Sequence, residues 1–370
     1  MTASAIRRSL LLGLVVGSAT GCGVAESQET PKLETTLPMT FGQLSNVVAL
    51  RDGRVVFADT KDKLFLRADL KTGALDTLGA RVDTLRADGS AGSYRFPGWV
   101  AHLRADTVAL VDFSAIRTTL WNERGEALGV LPIAPVAGNT PVLLYDTVGH
   151  GYKIDFQAVL GGGEPGQQIR PDSIPVLRID LKSGATDTVA RLTAPEYGDA
   201  TFGTQVQTVA KVFGPNDFFG VLPDGTTWVA RGRENRVDWR SPSGEWVRGK
   251  SRTYTGVPVT QEDRDRVLAQ VREQGKEHGM PQELSITYPF AERKPPFDYA
   301  LGRDGEVWLQ RSRATQDEPL HYDVVDRRGV WQRDVVFPAG ASLAGFGREG
   351  TVYASVKRDG GRTVGRLTVR

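Results

Sequence analysis

Histidines are the first side chains to consider for metal binding or acid–base catalysis. The chain has His102, His150, His278 and His321. No two of them stand at the short spacings that zinc motifs use. His150 is the best candidate for a ligand-facing role, because glycines flank it and Asp146 and Asp155 are nearby in sequence. The alternative is a histidine that only stabilises a turn. The sequence therefore predicts no metal site.

Charged residues at the ends of apolar stretches are the second group of candidates. Arg231 and Arg311 follow such stretches and could bind an anion at a ligand-facing surface, or could be solvated strand ends. Asp59 and Asp112 end two similar stretches. They could form a polar rim for a ligand, or could accept hydrogen bonds from the backbone of the following turn.

The motifs of nucleophilic and phosphate chemistry are missing from the sequence. Residues 161–166 are rich in glycine but lack the Gly-Lys-Ser/Thr of a phosphate-binding loop. There is no Gly-x-Ser-x-Gly motif, and the single cysteine, Cys22, lies at the N-terminus. We therefore predict no catalytic residue and no cofactor.

The N-terminal segment has the pattern of an export signal. Arg7 and Arg8 precede a short apolar run, and small residues lead to Cys22. This arrangement is similar to a bacterial lipobox, which implies a signal peptide over residues 1–21, lipidation of Cys22 and a flexible tether over residues 22–34. A plain secretory signal with an incidental cysteine is the alternative, and the doubled arginine leaves a twin-arginine route open. Acyl chains at Cys22 would hold the protein to a bacterial membrane, on its periplasmic or extracellular side.

The charge balance excludes one class of partner. Arg7 and Arg8 account for the formal net charge of +2, so the remaining 44 basic groups equal the 44 acidic groups. A neutral body offers no basic surface for nucleic acid. A protein or an envelope polymer is the partner that we expect.

The elements that position these residues recur along the chain. Residues 69–78 (DLKTGALDTL) return as residues 180–189 (DLKSGATDTV), with seven of ten positions identical. A recurring strand-turn-strand segment indicates a repeat architecture. Such a scaffold carries its chemistry on surface loops, so the scaffold itself does not identify a ligand.

Each repeat is predicted to be a four-stranded antiparallel meander. Asp-Gly or Glu-Gly separates two apolar strands at residues 52–53, 224–225, 304–305 and 349–350, and this is the strongest short-range hairpin signal. A second glycine turn follows. Six units are predicted, at residues 43–79, 96–132, 141–193, 205–249, 297–337 and 340–370. Repeated meanders of this kind build an all-β fold, a six-bladed β-propeller, over residues 35–370.

Two further elements complete the predicted fold. The last unit is one strand short, and residues 35–42 are an extended segment without a partner, so we expect this N-terminal segment to pair with the final blade and close it. Residues 260–277 read as a helix inserted between the fourth and fifth blades. Thr260 followed three residues later by Asp263 is a helix-start signal.

At this level the units resemble the six-bladed propellers of the NHL-repeat type in exported bacterial proteins. The resemblance rests on residues 92–97 followed by residues 109–112, and on residues 294–298 leading to residues 305–308. It implies a lipoprotein-like member of a family in which most proteins are binding platforms.

Two functions are compatible with this sequence. The first is a membrane-tethered, non-catalytic binding or scaffold module for a protein or envelope ligand. The alternative is a lactonase or ester hydrolase with a metal ion held by carboxylates and amides in the propeller channel. Converging acidic side chains at the channel mouth would favour the enzyme, whereas a channel lined by apolar or basic groups would count against it.

Overall fold

The computed structural model describes residues 27–84, 91–104, 106–131, 141–155, 171–277, 281 and 283–369. The signal peptide, Cys22, His278 and the glycine-rich loop at 161–166 lie outside these ranges. Within them, no helix has both the length and the apolar character needed to cross a membrane.

Nearly all of the regular secondary structure in the described chain is β-strand. It begins with two short strands, β1 (Ser27–Glu29) and β2 (Lys32–Thr36). The first sheet contains β3 (Val48–Ala49), β4 (Val55–Asp59), β5 (Leu64–Ala68) and β6 (Leu75–Thr77). A two-stranded ribbon of β7 (Ala80–Arg81) and β8 (Ser93–Tyr94) follows. The second sheet contains β9 (Pro97–Arg104), β10 (Thr107–Asp112), β11 (Arg117–Asn122) and β12 (Ala127–Val130).

The middle of the chain adds two more sheets and an insertion. The third sheet contains β13 (Leu144–Tyr145), β14 (His150–Ile154), β15 (Ser173–Asp180) and β16 (Thr186–Thr193). The hairpin of β17 (Tyr197–Phe202) and β18 (Gln205–Ala210) comes next. The fourth sheet contains β19 (Phe218–Val221), β20 (Thr227–Arg231), β21 (Arg236–Arg240) and β22 (Trp246–Val247). The helix α1 (Gln261–Glu277) and the strand β23 (Ile286–Thr287) follow.

Two sheets at the C-terminal end incorporate the first strands of the chain. The fifth contains β24 (Phe297–Arg303), β25 (Glu306–Arg311), β26 (His321–Asp326) and β27 (Trp331–Val336), with β1 added in parallel to β27. The sixth contains β28 (Ala341–Phe346), β29 (Thr351–Arg358) and β30 (Gly361–Thr368), and β2 pairs antiparallel with β30. These many four-stranded antiparallel sheets are consistent with a β-propeller.

The tight turns between first and second strands form because their central residues can adopt a positive φ. Gly53, Gly225, Gly305 and Gly350 have φ of 87°, 82°, 94° and 75°. Glycine adopts these angles without a steric penalty, and the turn closes each hairpin in one register.

The buried core lies between the sheets. In the described residues, six clusters of buried hydrophobic side chains each join two consecutive sheets. One of them joins the sixth sheet to the first: Leu37 and Val364 pack there with Val55 and Phe57. Each sheet is therefore held by apolar burial against a neighbour on both sides.

The antiparallel order gives every sheet two different ends. The turns at residues 50–54, 222–226, 303–306 and 347–351 lie at one end, which we call the hairpin face. The loops between second and third strands, at residues 59–64, 112–117 and 231–236, lie at the other end, together with the connections from one sheet to the next. We call this end the insertion face.

The insertion face carries one additional layer. β17 pairs with both β18 and β23, and Val212 forms a parallel bridge with Phe290, so insertions from two connections join each other. The sequence placed the start of the fourth unit at residue 205, but β18 belongs to this layer and the fourth sheet begins at Phe218. Strand alternation in β18 resembles that of a sheet strand, and only its tertiary partner decides which sheet it joins.

Ordered structure also begins earlier than residue 35. β1 lies inside residues 22–34, the segment expected to be a tether, and β2 begins there and extends to Thr36. Both strands gain backbone hydrogen bonds from partners near the C-terminus, and Glu34 accepts hydrogen bonds from Arg366 and Thr368. These strands form by backbone pairing with distant partners. A short polar segment carries no hydrophobic pattern that would predict such pairing.

Candidate functional site

The first strands of the six sheets enclose two connected cavities. The lower chamber has a volume of about 390 Å³ and is bounded by β3, β9, β13, β14, β19 and β24. The upper chamber has a volume of about 590 Å³ and opens beside the turn residues Thr60 and Phe113 at the insertion face. Asn46, Trp99 and Tyr299 line both chambers. The two chambers therefore adjoin each other, and together we call them the channel.

Aliphatic and aromatic side chains dominate the lower chamber, and its charged groups are basic. Lys153 is buried, and burial lowers the pKa of its ammonium group, an effect that Asp155 opposes. His102 lies open to the channel, with Nε2 2.8 Å from the carbonyl oxygen of Ala49. Burial also lowers the pKa of the His102 imidazole. Both groups thus lie in surroundings that disfavour an uncompensated positive charge.

Trp228 forms part of the lower chamber wall and is held by two glycines. A Cβ atom placed on Gly220 or on Gly302 would come within 2.2 Å of the indole ring, so only glycine fits at either position. The Nε1 atom of Trp228 is buried and has no hydrogen-bond partner within the described chain.

Tyr299 lies where the two chambers meet. Burial raises the pKa of its phenol to about 12, so the group remains protonated at neutral pH and can donate a hydrogen bond. Trp99 lies at the same junction, and its neighbour Phe96 stacks on Phe113 with ring centroids 6.3 Å apart. The junction therefore has aromatic walls with polar edges.

The charge of the upper chamber comes from Arg362. It is the one charged side chain in the described lining of that chamber. Its Nε donates to Ser355 Oγ at 2.5 Å, and its Nη2 donates to the Ser355 carbonyl oxygen at 2.9 Å and to Ser342 Oγ at 3.1 Å. Burial lowers the pKa of this guanidinium. The group is thus oriented by neutral partners.

The two arginines selected from the sequence have acidic partners. Arg231 and Arg311 each form ion pairs with two aspartates across neighbouring strands. The partners are Asp217 and Asp238 for Arg231, at 2.8 and 3.2 Å, and Asp323 and Asp334 for Arg311. A ligand anion at either arginine would have to compete with carboxylates that are already bound.

His150 lies at the hairpin face, at the opposite end from the upper chamber. Its Nδ1 is 2.8 Å from Asp146 Oδ2, while Asp155 is not among its contacts in the described structure. The Asp146 carboxylate also accepts three backbone N–H bonds from its own turn and one from the Tyr152 hydroxyl. Burial alone would raise the pKa of Asp146, but these hydrogen bonds outweigh burial and lower it. The geometry is that of a rigid turn.

Asp59 and Asp112 hold the backbone of the insertion face. Asp59 accepts N–H bonds from residues 42, 43, 61 and 62, at 2.9 to 3.3 Å. Asp112 accepts the corresponding four bonds from residues 95, 96, 114 and 115. Each carboxylate therefore ties the turn that follows its strand to the segment that enters the same sheet.

The channel does not offer the ligands of a metal-dependent hydrolase in its described part. No group of three or more His, Cys, Asp or Glu side chains is placed to hold a metal ion in the residues that the structure covers. The described lining of the two chambers contains no carboxylate. A calcium-like ion needs several oxygen ligands, including carboxylates, and the described lining does not supply carboxylates.

Comparisons with known proteins describe the fold and do not extend to activity. No protein-family model matches the chain, and no curated protein matches it. A solved structure of a Bacteroides fragilis protein classed as exported aligns with a TM-score of 0.50 at 9% identity, covering 93% of this chain and 99% of that one. This likeness agrees with the propeller-like sheet layout.

Two further solved structures align less closely. A gluconolactonase from Xanthomonas campestris has a TM-score of 0.45 at 12% identity, covering 92% of this chain and 94% of its own. A virginiamycin B lyase from Staphylococcus aureus has a TM-score of 0.42 at 13% identity, covering 92% and 100%.

Sequence reasoning did not select Arg362. It is one of four arginines between residues 348 and 366, and its strand has no distinguishing motif. What separates Arg362 from Arg231 and Arg311 is the absence of a nearby aspartate on the facing strand segments, which depends on tertiary packing. The Ser342 and Ser355 hydroxyls that orient it come from two different strands of the sixth sheet.

Proposed function

We propose that the protein is an exported, lipid-anchored binding module whose ligand enters the channel from the insertion face. The ligand is a protein or an envelope polymer. The observation that carries this proposal is the channel lining: two connected chambers with apolar walls, basic groups and hydroxyls, and no carboxylate in their described part. A concave, mostly apolar pocket with a few convergent polar groups is the usual form of a ligand site.

The scaffold of this module is a closed ring of six NHL-type blades. Support comes from the cluster that packs the sixth sheet on the first, and from the pairing of β2 with β30. The N-terminal strand supplies the fourth strand of the last blade and covers an edge that would otherwise be exposed.

The anchor is a lipid-modified Cys22 after removal of residues 1–21. β1 lies on the outer edge of the fifth sheet, so the chain would leave the propeller at its rim. Four residues between Cys22 and Ser27 reach at most about 18 Å, which keeps the rim close to the membrane and leaves the channel accessible. Labelled palmitate should be incorporated into the wild type and not into Cys22→Ser.

A pull-down from envelope extract tests the binding function. The bait is the chain from residue 27 onwards, and the matched variant is Ala101→Phe, which adds a phenyl ring at a half-buried position of the lower chamber wall. We expect a partner captured by the wild type to be lost with the variant, while both proteins unfold at similar temperatures. Equal capture by both proteins would contradict a channel site, and capture of nothing above background would contradict the binding function.

A further inference from the structure

We infer that the group entering the channel is an anion joined to an apolar body, and that Arg362 binds the anion while the lower chamber receives the body. This inference rests on the proposed function and names the chemical class of the ligand. Carboxylates, sulfonates and phosphate monoesters on an apolar skeleton belong to this class.

The guanidinium of Arg362 is held in place, and one of its nitrogens has no hydrogen-bond acceptor in the described chain. Nε and Nη2 are engaged by Ser355 and Ser342, whereas Nη1 has no hydrogen-bond partner within the described chain. The two serines hold the Nε and Nη2 edge of the guanidinium, and the N–H bonds of Nη1 point away from that edge. Nη1 can therefore donate to an oxyanion from a position that needs no reordering.

The charge of Arg362 is not balanced by a carboxylate in the described structure. Arg231 and Arg311 each have two aspartate partners, but the hydrogen bonds of Arg362 go to serine oxygens. Burial lowers the pKa of Arg362, which shows that its surroundings disfavour the unpaired cation. An anionic ligand would supply the missing charge, so it gains more from this site than a neutral ligand does.

The rest of the described lining favours the same sign of charge. Lys153 and His102 are the other titratable bases of the channel wall, and they lie in the lower chamber. The described lining of the two chambers contains no carboxylate, so the positive potential of the Arg362 guanidinium is not opposed by a negative side chain of that lining. A concave site with apolar walls concentrates such a potential and attracts anions.

The apolar part of the ligand follows from the path between the chambers. Trp99 and Tyr299 line both, so a molecule held at Arg362 can extend past two aromatic side chains into the lower chamber. That chamber, of about 390 Å³, is bounded mainly by aliphatic and aromatic side chains. A small inorganic anion would leave this apolar space unused.

Two fluorescent probes of nearly the same shape distinguish the contribution of the charge to binding from that of the apolar body. The probe 1-anilinonaphthalene-8-sulfonate carries a sulfonate, and N-phenyl-1-naphthylamine is its uncharged counterpart. We expect the wild-type chain from residue 27 to bind the sulfonate probe with one site, and more tightly than the neutral probe. Arg362→Gln should lower the affinity for the sulfonate probe by about 10-fold or more, because charge-assisted hydrogen bonds are lost. The affinity for the neutral probe should be nearly unchanged.

Two variants serve as controls. Lys357→Gln removes one positive charge from an exposed residue directly opposite Arg362 on β29, and should alter neither probe. Ala101→Phe should lower the affinity for both probes. The anion site is refuted if Lys357→Gln lowers the affinity for the sulfonate probe as much as Arg362→Gln does. It is also refuted if Arg362→Gln lowers the affinity for both probes equally while its thermal unfolding is unchanged.

The outcomes distinguish this inference from the proposed function. If both probes bind with equal affinity and Ala101→Phe weakens both, the channel is a binding site but the anion inference fails. If neither probe responds to Ala101→Phe, the channel site itself fails. The envelope pull-down then tests the anion on the natural partner. A partner lost with both Ala101→Phe and Arg362→Gln carries the anionic group itself, and a partner lost with Ala101→Phe but retained with Arg362→Gln contradicts the anion inference.

Discussion

Individual buried aspartates fix the backbone at the insertion face. Asp59 is 1% exposed and accepts four backbone N–H bonds, from two separate segments of the first sheet. A carboxylate accepts several hydrogen bonds at once, which is why an acidic residue ends this strand. The same chemistry at Asp112 positions Phe96 beside the upper chamber. These carboxylates, which the sequence offered as ligand-facing candidates, therefore hold the backbone around the mouth of the upper chamber.

Removing one of these carboxylates should be costly. Asp59→Ala leaves buried N–H groups without an acceptor, and we expect it to lower the free energy of unfolding by roughly 3 kcal/mol. Asp62→Ala is the matched control, because Asp62 lies exposed in the same turn and its backbone N–H is unaffected by the change. Urea unfolding of both variants checks this. A loss at Asp59 no larger than at Asp62 would contradict the structural role.

At the scale of elements, α1 is held by its first turn. Thr260 caps the helix and exchanges hydrogen bonds with Asp263, the residue three positions on. Asp263 is also bound by Lys294, which is 5% exposed and donates in addition to two carbonyl oxygens near residue 313. The helix has few apolar residues, so this buried ion pair fixes the insertion where apolar packing is limited.

The ion pair predicts an acid dependence with a defined sign. Burial alone would raise the pKa of Asp263, but hydrogen bonds from Lys294, Arg266 and Thr260 outweigh burial and hold it well below its usual value of 3.8. A carboxyl group whose pKa is lower in the folded state than in the unfolded state stabilises the fold at pH values above its unfolded-state pKa. That stabilisation is lost as the pH falls through its folded-state pKa. The stability difference between the wild type and Asp263→Asn should be constant above about pH 5 and should narrow below pH 4.

Thermal unfolding across this pH range measures the difference. Asp265→Asn is the control, because Asp265 is exposed on the same helix and bonds only to Gln261 in the described structure. A difference between wild type and Asp263→Asn that is independent of pH down to pH 2 would show that the Asp263 charge does not stabilise the fold.

At the scale of the whole molecule, the first and last described segments of the chain pack together. Leu37 is fully buried between the sixth sheet and the first, and its backbone N–H donates to the carbonyl oxygen of Val364. Phe41 and Arg362 exchange two backbone hydrogen bonds in the same region. The N-terminal segment around Leu37 therefore also supports the strand that carries Arg362.

Truncating this contact should weaken the whole fold. We expect Leu37→Ala to lower the free energy of unfolding by about 2–5 kcal/mol, because it leaves a cavity between the two sheets. Leu128→Ala, at a side chain 55% exposed, should change it by less than about 0.5 kcal/mol. Hydrogen exchange should show the first and sixth sheets opening together. Opening of one sheet alone would indicate that the junction does not couple them.

Local chemistry explains what the sequence could predict. The hairpins at Gly53, Gly225, Gly305 and Gly350 follow from the positive φ that those turns require, and strand alternation between turns gives the meanders. The helix start at Thr260 follows from a capping pattern within four residues. In each case the interacting groups are neighbours in the chain, so the residue types alone indicate the structure.

Tertiary structure decided what depends on distant partners. β18 joins β17 and the fourth sheet begins at Phe218, while β1 and β2 find their partners about 300 residues away. Arg231 and Arg311 are matched by aspartates and Arg362 is not, and no local sequence motif marks this difference. Electrostatic pairing depends on distances in space, and a sequence position carries no information about which carboxylate lies across the sheet.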